Sequence, residues 1–248
     1  MEIRYYKEYS HHLNRDMEFK IYGHAGRPVL VFPCQGGRFF DFEDRKMHEL
    51  AAPWIDSGRM QMICVDSIDK ESWDNNGPAR PRIEMHERWF NYIIEELIPR
   101  FHEINGGQYM GQIIAAGCSM GASHAVNYFL RRPDVFNGTI AMSGCYRADM
   151  FFGDYMDDLV YANSPLNFLP LMPNDHPHIA LYNQAQSFIV SVGQGAWEDE
   201  LLASTRELKD VLASKGINAW IDIWGTDVNH DWPWWMIQWP YFLGHVLG

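Results

Sequence analysis

The chain has 248 residues, is 47% hydrophobic and carries a formal net charge of −12. With no Lys/Arg cluster to offset that balance, nucleic acid and anionic membrane surfaces are poor partners. The opening MEIRYYKEYS is polar and lacks the apolar core of a signal peptide, and no apolar run approaches the ~20 residues of a spanning helix. Cys34, Cys64, Cys118 and Cys145 share no metal-ligand spacing. Reduced, buried thiols and a cytoplasmic setting are therefore expected, with no metal or cofactor.

Ile3 to Tyr9 and Met17 to Gly23 read as two strands, followed by a turn at residues 24 to 28 and a buried strand at Val29 to Phe32. A glycine-containing loop, Pro33 to Phe40, leads to a helix over Asp44 to Asp56, ended by Ser57-Gly58. Met60 to Val65 is the next strand, and Asp66 to Arg80 a long loop. Pro81 suits the first turn of a helix, and Ile83, Trp89, Ile93, Ile94, Leu97 and Ile98 continue it to about Ile104. After the Ile113–Ala116 strand and its helix come a strand at Thr139 to Met142 and an irregular stretch, Tyr146 to Pro177, expected over the sheet's edge. A strand at Phe188 to Val192, a helix from Glu198 to Lys215, a strand at Ala219 to Trp224 and a closing helix from Trp232 to Leu247 complete the chain. Strands alternating with helices from residue 29 onward predict an α/β fold: a mostly parallel sheet covered on both faces, with an antiparallel N-terminal edge. No linker or repeat divides the chain, so a single domain over 1–248 is expected.

The central stretch is Gln112 to Leu130. Ile113, Ile114, Ala115 and Ala116 form a short apolar run, the mark of a strand buried on both faces. Gly117-Cys118-Ser119-Met120-Gly121 follows and fits G-x-S-x-G. Then Ala122, Ala125, Val126, Phe129 and Leu130 recur at helical spacing. A strand turning directly into a helix strains the residue between them and lifts Ser119 Oγ clear of the sheet. The Met120 amide opens the helix, where backbone N–H groups lack partners, and can stabilise an oxyanion.

Such an elbow belongs to the α/β-hydrolase fold, whose triad runs Ser, acid, His along the chain. The loop after Ala219–Trp224 contains one histidine, His230, the expected general base. The loop after Phe188–Val192 ends in Glu198, Asp199 and Glu200. Glu198 is favoured as the acid because Trp197 can shield it, with Asp199 as the alternative. An acidic first helical turn explains the remaining carboxylates through the helix dipole. Gly37, in Gln35-Gly36-Gly37-Arg38, is expected to supply the second oxyanion donor beside Met120. Trp232, Trp234, Trp235 and Trp239 are read as packing the closing helix rather than lining a pocket. Asp149, Asp154, Asp157 and Asp158 are read as solvated. Arg82 and His86 share a helix face that could meet the site.

Gly117-Cys118-Ser119-Met120-Gly121-Ala122, Asn127 through Arg132-Pro133 and Phe136-Asn137-Gly138 resemble the esterase D-like "putative esterase" family of α/β-hydrolases. That family includes S-formylglutathione hydrolase, feruloyl and enterobactin esterase-type enzymes and the mycolyltransferases. Asn229-His230-Asp231-Trp232 through Trp235 is similar to its His-x-Trp-x-x-Trp ending, and Gln35-Gly36-Gly37-Arg38 to its oxyanion loop. The resemblance implies carboxyl-ester chemistry on a Ser–acid–His triad, with Ser119 and His230 at the motif positions. Members carry Asp or Glu as the acid in a shorter loop than Gly193 to Glu200. The expectation is a serine carboxylesterase acting through an acyl-enzyme on a small-molecule ester. An acyltransferase on the same triad and a non-catalytic ligand-binding member of the fold are the alternatives.

Overall fold

The computed structural model describes residues 1–107 and 112–248. Eight strands form one sheet: β1 (Ile3–Ser10), β2 (Arg15–Tyr22), β3 (Arg27–Phe32), β4 (Met60–Val65), β5 (Ile113–Cys118), β6 (Phe136–Met142), β7 (Ser187–Val192) and β8 (Trp220–Ile223). Their spatial order is β1-β2-β4-β3-β5-β6-β7-β8. β1, β2 and β4 pair antiparallel, and every pairing from β4 through β3 to β8 is parallel. The expected architecture is therefore the one observed.

Alternate residues of the central strands feed two separate cores, as the period of two along a strand requires. Leu30, Phe32, Ile63, Val65 and Ala115 face one side. There they meet α1 (Ala79–Asn91), α2 (Ile98–Ile104), α3 (Met120–Arg131) and α4 (Asp199–Ser214), through Trp89, Phe101, Val126, Phe129 and Leu208. Val29, Val31, Met62, Cys64, Ile114 and Ala116 face the other side and meet Trp235, Trp239 and Phe242 of α5 (Trp232–Leu247). Trp235 and Trp239, with Trp232 partly buried against them, thus pack that face of the sheet as expected, whereas Trp234 joins neither core. Burial on both faces explains why β3, β4 and β5 read as unbroken apolar runs.

Three segments depart from the sequence reading. The helix expected over 44–56 is three short pieces, Asp41–Asp44, Met47–Leu50 and Ala52–Asp56, because Lys46 sits at φ 58° and breaks it. The long helix after residue 79 holds a π-helical stretch, Tyr92–Leu97, directly ahead of Pro99. The proline ring cannot continue an ordinary helix past the carbonyl of residue 95, and the widened turn absorbs the misfit. The 146–177 stretch, expected to be irregular, is largely helical. It forms short helices, among them Asp149–Phe152, Asp158–Ala162 and Pro165–Leu171, and its Leu166 and Leu169 join the same core as α3 and α4.

The C-terminal ends of β3, β5, β7 and β8 open into the loops that carry Gln35, Ser119, Glu198 and His230. That end of a parallel sheet is where open α/β folds place ligands.

Candidate active site

Ser119 sits between β5 and α3 at φ 55°, ψ −124°, a strained region for a residue with a Cβ. Crowding holds it there. A Cβ on Gly121 would lie 2.2 Å from the Phe32 carbonyl oxygen, and one on Gly117 would lie 2.4 Å from the Gly121 carbonyl carbon. Only glycine lets strand and helix approach that closely. The Ser119 N–H donates to the Met142 carbonyl at 2.9 Å, tying the turn to β6.

The loops after β7 and β8 are joined to each other by backbone. Gln194 N–H donates to Gly225 O at 3.1 Å, Gly195 N–H to Val228 O at 2.8 Å and His230 N–H to Ala196 O at 3.0 Å. The Asn229 side chain accepts from Ala196 N–H at 2.7 Å. The contact is tight enough that a Cβ on Gly193 would sit 2.1 Å from Val228 O. This clamp sets Glu198 and His230 side by side.

His230 Nε2 lies 2.9 Å from Ser119 Oγ. His230 Nδ1 lies 3.5 Å from Glu198 Oε2. The Glu198 carboxylate is fully buried, whereas Asp199 and Glu200 are exposed. Its Oε1 accepts from Ser143 Oγ at 2.6 Å and from Gly193 N–H at 3.3 Å. Those donors offset part of the cost of burying the carboxyl group. The structure therefore brings together the serine, the histidine and the favoured carboxylate, and leaves Asp199 outside the row.

Ser119 and His230 open onto a cavity of about 460 Å³, also lined by Gln35, Met120, Met150, Phe151 and Trp197. Cys145 lines it too, with burial pushing its thiol pKa up, so the group is protonated and a poor nucleophile. All four cysteines are unpaired.

Two expectations about this region need correction. Gly37 is not placed as an oxyanion donor: its N–H donates to the Cys34 carbonyl at 2.8 Å and closes a turn. Gln35 is the residue of that loop that lines the cavity. Trp197, expected to shield Glu198, is instead 86% exposed at the cavity's rim with φ 67°.

Arg82 and His86 also lie away from the cavity. Arg82 donates to the carbonyls of Ser72, Trp73 and Phe151, tying the 66–80 loop to the insertion, and His86 contacts Asn163 at 3.0 Å. Met150 and Phe151 come from the 146–177 stretch, a segment expected to help build an acyl pocket without any of its residues being singled out, and Ser143 was not foreseen. Ser143 had one signal: it follows directly on β6, the neighbour of the elbow strand, at the same rim as Ser119.

Among the described residues, no group of His, Cys, Asp and Glu could hold a metal ion, and no helix is long and apolar enough to cross a membrane.

Solved structures of similar shape include a ferulic acid esterase (17% identity, 99% of this chain and 98% of that one, TM-score 0.77). An S-formylglutathione hydrolase from Staphylococcus aureus matches at 10% identity, over 100% and 97%, with TM-score 0.70. MPT51 from Mycobacterium tuberculosis matches at 15%, over 100% and 98%, with TM-score 0.72. At these identities they speak for the fold. No curated protein sequence matches the chain. The family model described as "Putative esterase" matches residues 10–238, nearly the whole length. The chain belongs to that esterase family of α/β-hydrolases and is a carboxylesterase-type enzyme.

Proposed function

We propose that the chain hydrolyses carboxylic esters of small molecules through a Ser119–His230–Glu198 triad and an acyl-enzyme. The observation that carries this reading is the 2.9 Å contact between Ser119 Oγ and His230 Nε2 at the wall of the cavity. Nε2 must be unprotonated to accept the serine proton, so the ring's proton belongs on Nδ1, facing Glu198 Oε2. The 3.5 Å separation there is loose, as resting sites often are, and shortens when imidazolium forms.

Ser119 Oγ attacks the ester carbonyl as His230 takes its proton. The oxyanion is held by the N–H groups of Met120, at the first position of α3, and of Gln35. His230 passes the proton to the departing alcohol, which leaves the acyl group on Ser119. Water then repeats the attack with His230 as base, and the carboxylic acid departs. Met150, Phe151 and Leu201 give the cavity an apolar wall for an acyl or alcohol group, and Asp199 and Glu200, which also line it, disfavour an anionic one.

Ser119→Ala tests the reading. Turnover of p-nitrophenyl acetate should fall by roughly 10⁴- to 10⁶-fold while the circular dichroism spectrum and Tm stay close to wild type. A variant that hydrolyses this ester at the wild-type rate contradicts it.

A further inference from the structure

Two groups outside the triad complete a closed ring around it. Ser143 Oγ donates to Glu198 Oε1 at 2.6 Å. Trp235 Nε1 donates to Ser143 Oγ at 3.1 Å. The Trp235 ring in turn meets the His230 ring edge-on, with centroids 4.9 Å apart and planes at 89°. The direction of the bonds is fixed by chemistry. An indole N–H can only donate, so it occupies a lone pair of Ser143, and the hydroxyl proton is free to point at the carboxylate. Glu198 Oε1 is thereby held, and Oε2 is left to face His230 Nδ1.

The backbone at Ser143 carries the same message. The residue is buried at φ 59°, a region unfavourable for serine and easy for glycine. Its N–H is fixed to the Ser191 carbonyl at 2.8 Å. A glycine would relieve the strain, so the hydroxyl is what the position supplies beyond its turn.

We propose that Ser143 and Trp235 are positioning residues for the reaction. They orient the Glu198 carboxylate, and Trp235 also buttresses the imidazole, without touching substrate. This rests on the triad reading above.

Ser143→Gly separates positioning from structural support. Its Tm should fall by no more than a few degrees, because relief of the positive φ offsets part of what is lost with the two buried hydrogen bonds of the hydroxyl. Its kcat for p-nitrophenyl acetate should fall about 10- to 100-fold, less than the ~10⁴ of losing a triad acid's function. KM should stay within about twofold, since only the reacting geometry changes. Trp235→Phe keeps the ring and deletes the N–H, so it should lower kcat by a smaller factor; it reads the same row if Ser143→Gly proves hard to fold. The double variant should be no slower than Ser143→Gly alone, as members of one chain of bonds are not additive.

Wild-type kcat in Ser143→Gly, or a loss of kcat that merely follows a loss of Tm, overturns the proposal. Residual wild-type activity in Ser119→Ala would instead remove the triad beneath it, so the two failures are told apart.

Discussion

Strain and burial mark the residues that carry the proposed chemistry. Ser119 and Ser143 both hold a positive φ, and Glu198 keeps a carboxyl group in the interior with three facing partners, Ser143, Gly193 and His230. A buried carboxylate is retained at such cost only where its neighbours engage it. Glu198→Gln should therefore lower kcat by about 10²- to 10⁴-fold, because an amide can no longer fix the imidazole's tautomer. Asp199→Asn should cost at least tenfold less, a comparison read directly from steady-state kinetics on the two purified variants. At this scale the sequence was readable where a motif dictates geometry. Ser119, Met120 and His230 sit in motifs whose strand and helix context fixes where they lie. The partner of the Gly37 amide was not readable, since Gly36 and Gly37 announce a turn without saying which amide the turn consumes. The same limit applied to Trp197, whose neighbour in sequence is buried while it projects outward.

Between elements, the decisive contact is the clamp joining the loops after β7 and β8. Each loop supplies one triad candidate, and their backbone bonds set the separation of Glu198 from His230. Gly193→Ala would drive a Cβ into Val228 O, so the loops must part. The expected result is a drop in both Tm and kcat, followed by thermal unfolding and p-nitrophenyl acetate turnover of the same sample; an unchanged kcat would show that the clamp does not set the geometry. Strands and their order of burial were legible because two-sided burial leaves continuous apolar runs, as in β5. The breaks were less so. Lys46 stops a helix by adopting a left-handed conformation that lysine rarely shows, and Pro99 is tolerated through a π-helical turn that no periodicity announces.

For the whole molecule, one sheet separates two cores, and a buried polar cluster lies between α1, α3 and the 146–177 insertion. There His86 stacks on His124 at 5.4 Å, His124 meets Asp69 at 2.9 Å, and Asn163 bonds His86 and Arg131. Burial, followed by the charges of His124 and Arg131, holds the His86 pKa well below its ordinary value of 6.5. The unfolded chain takes up a proton near that value and the folded chain does not. Stability is thus intact above about pH 6.5 and falls as the pH drops below it, by up to about 1.4 kcal/mol per unit from this residue. Urea titrations at a series of pH values should show that slope in the wild type and a shallower one in His86→Gln; equal slopes would contradict it. The insertion was legible as a departure from the strand–helix alternation, but its contribution of Met150 and Phe151 to the cavity depends on how it folds back over α3.

The most direct measurement traps the covalent intermediate. Enzyme mixed with excess p-nitrophenyl acetate is acid-quenched within the first turnover, digested, and the acyl group located by peptide mass spectrometry. The account predicts an acetyl group on the peptide containing Ser119, at the Ser119 hydroxyl, and none in the Ser119→Ala variant. An acetyl group accumulating on another side chain, such as Cys145, with Ser119 unmodified would contradict it.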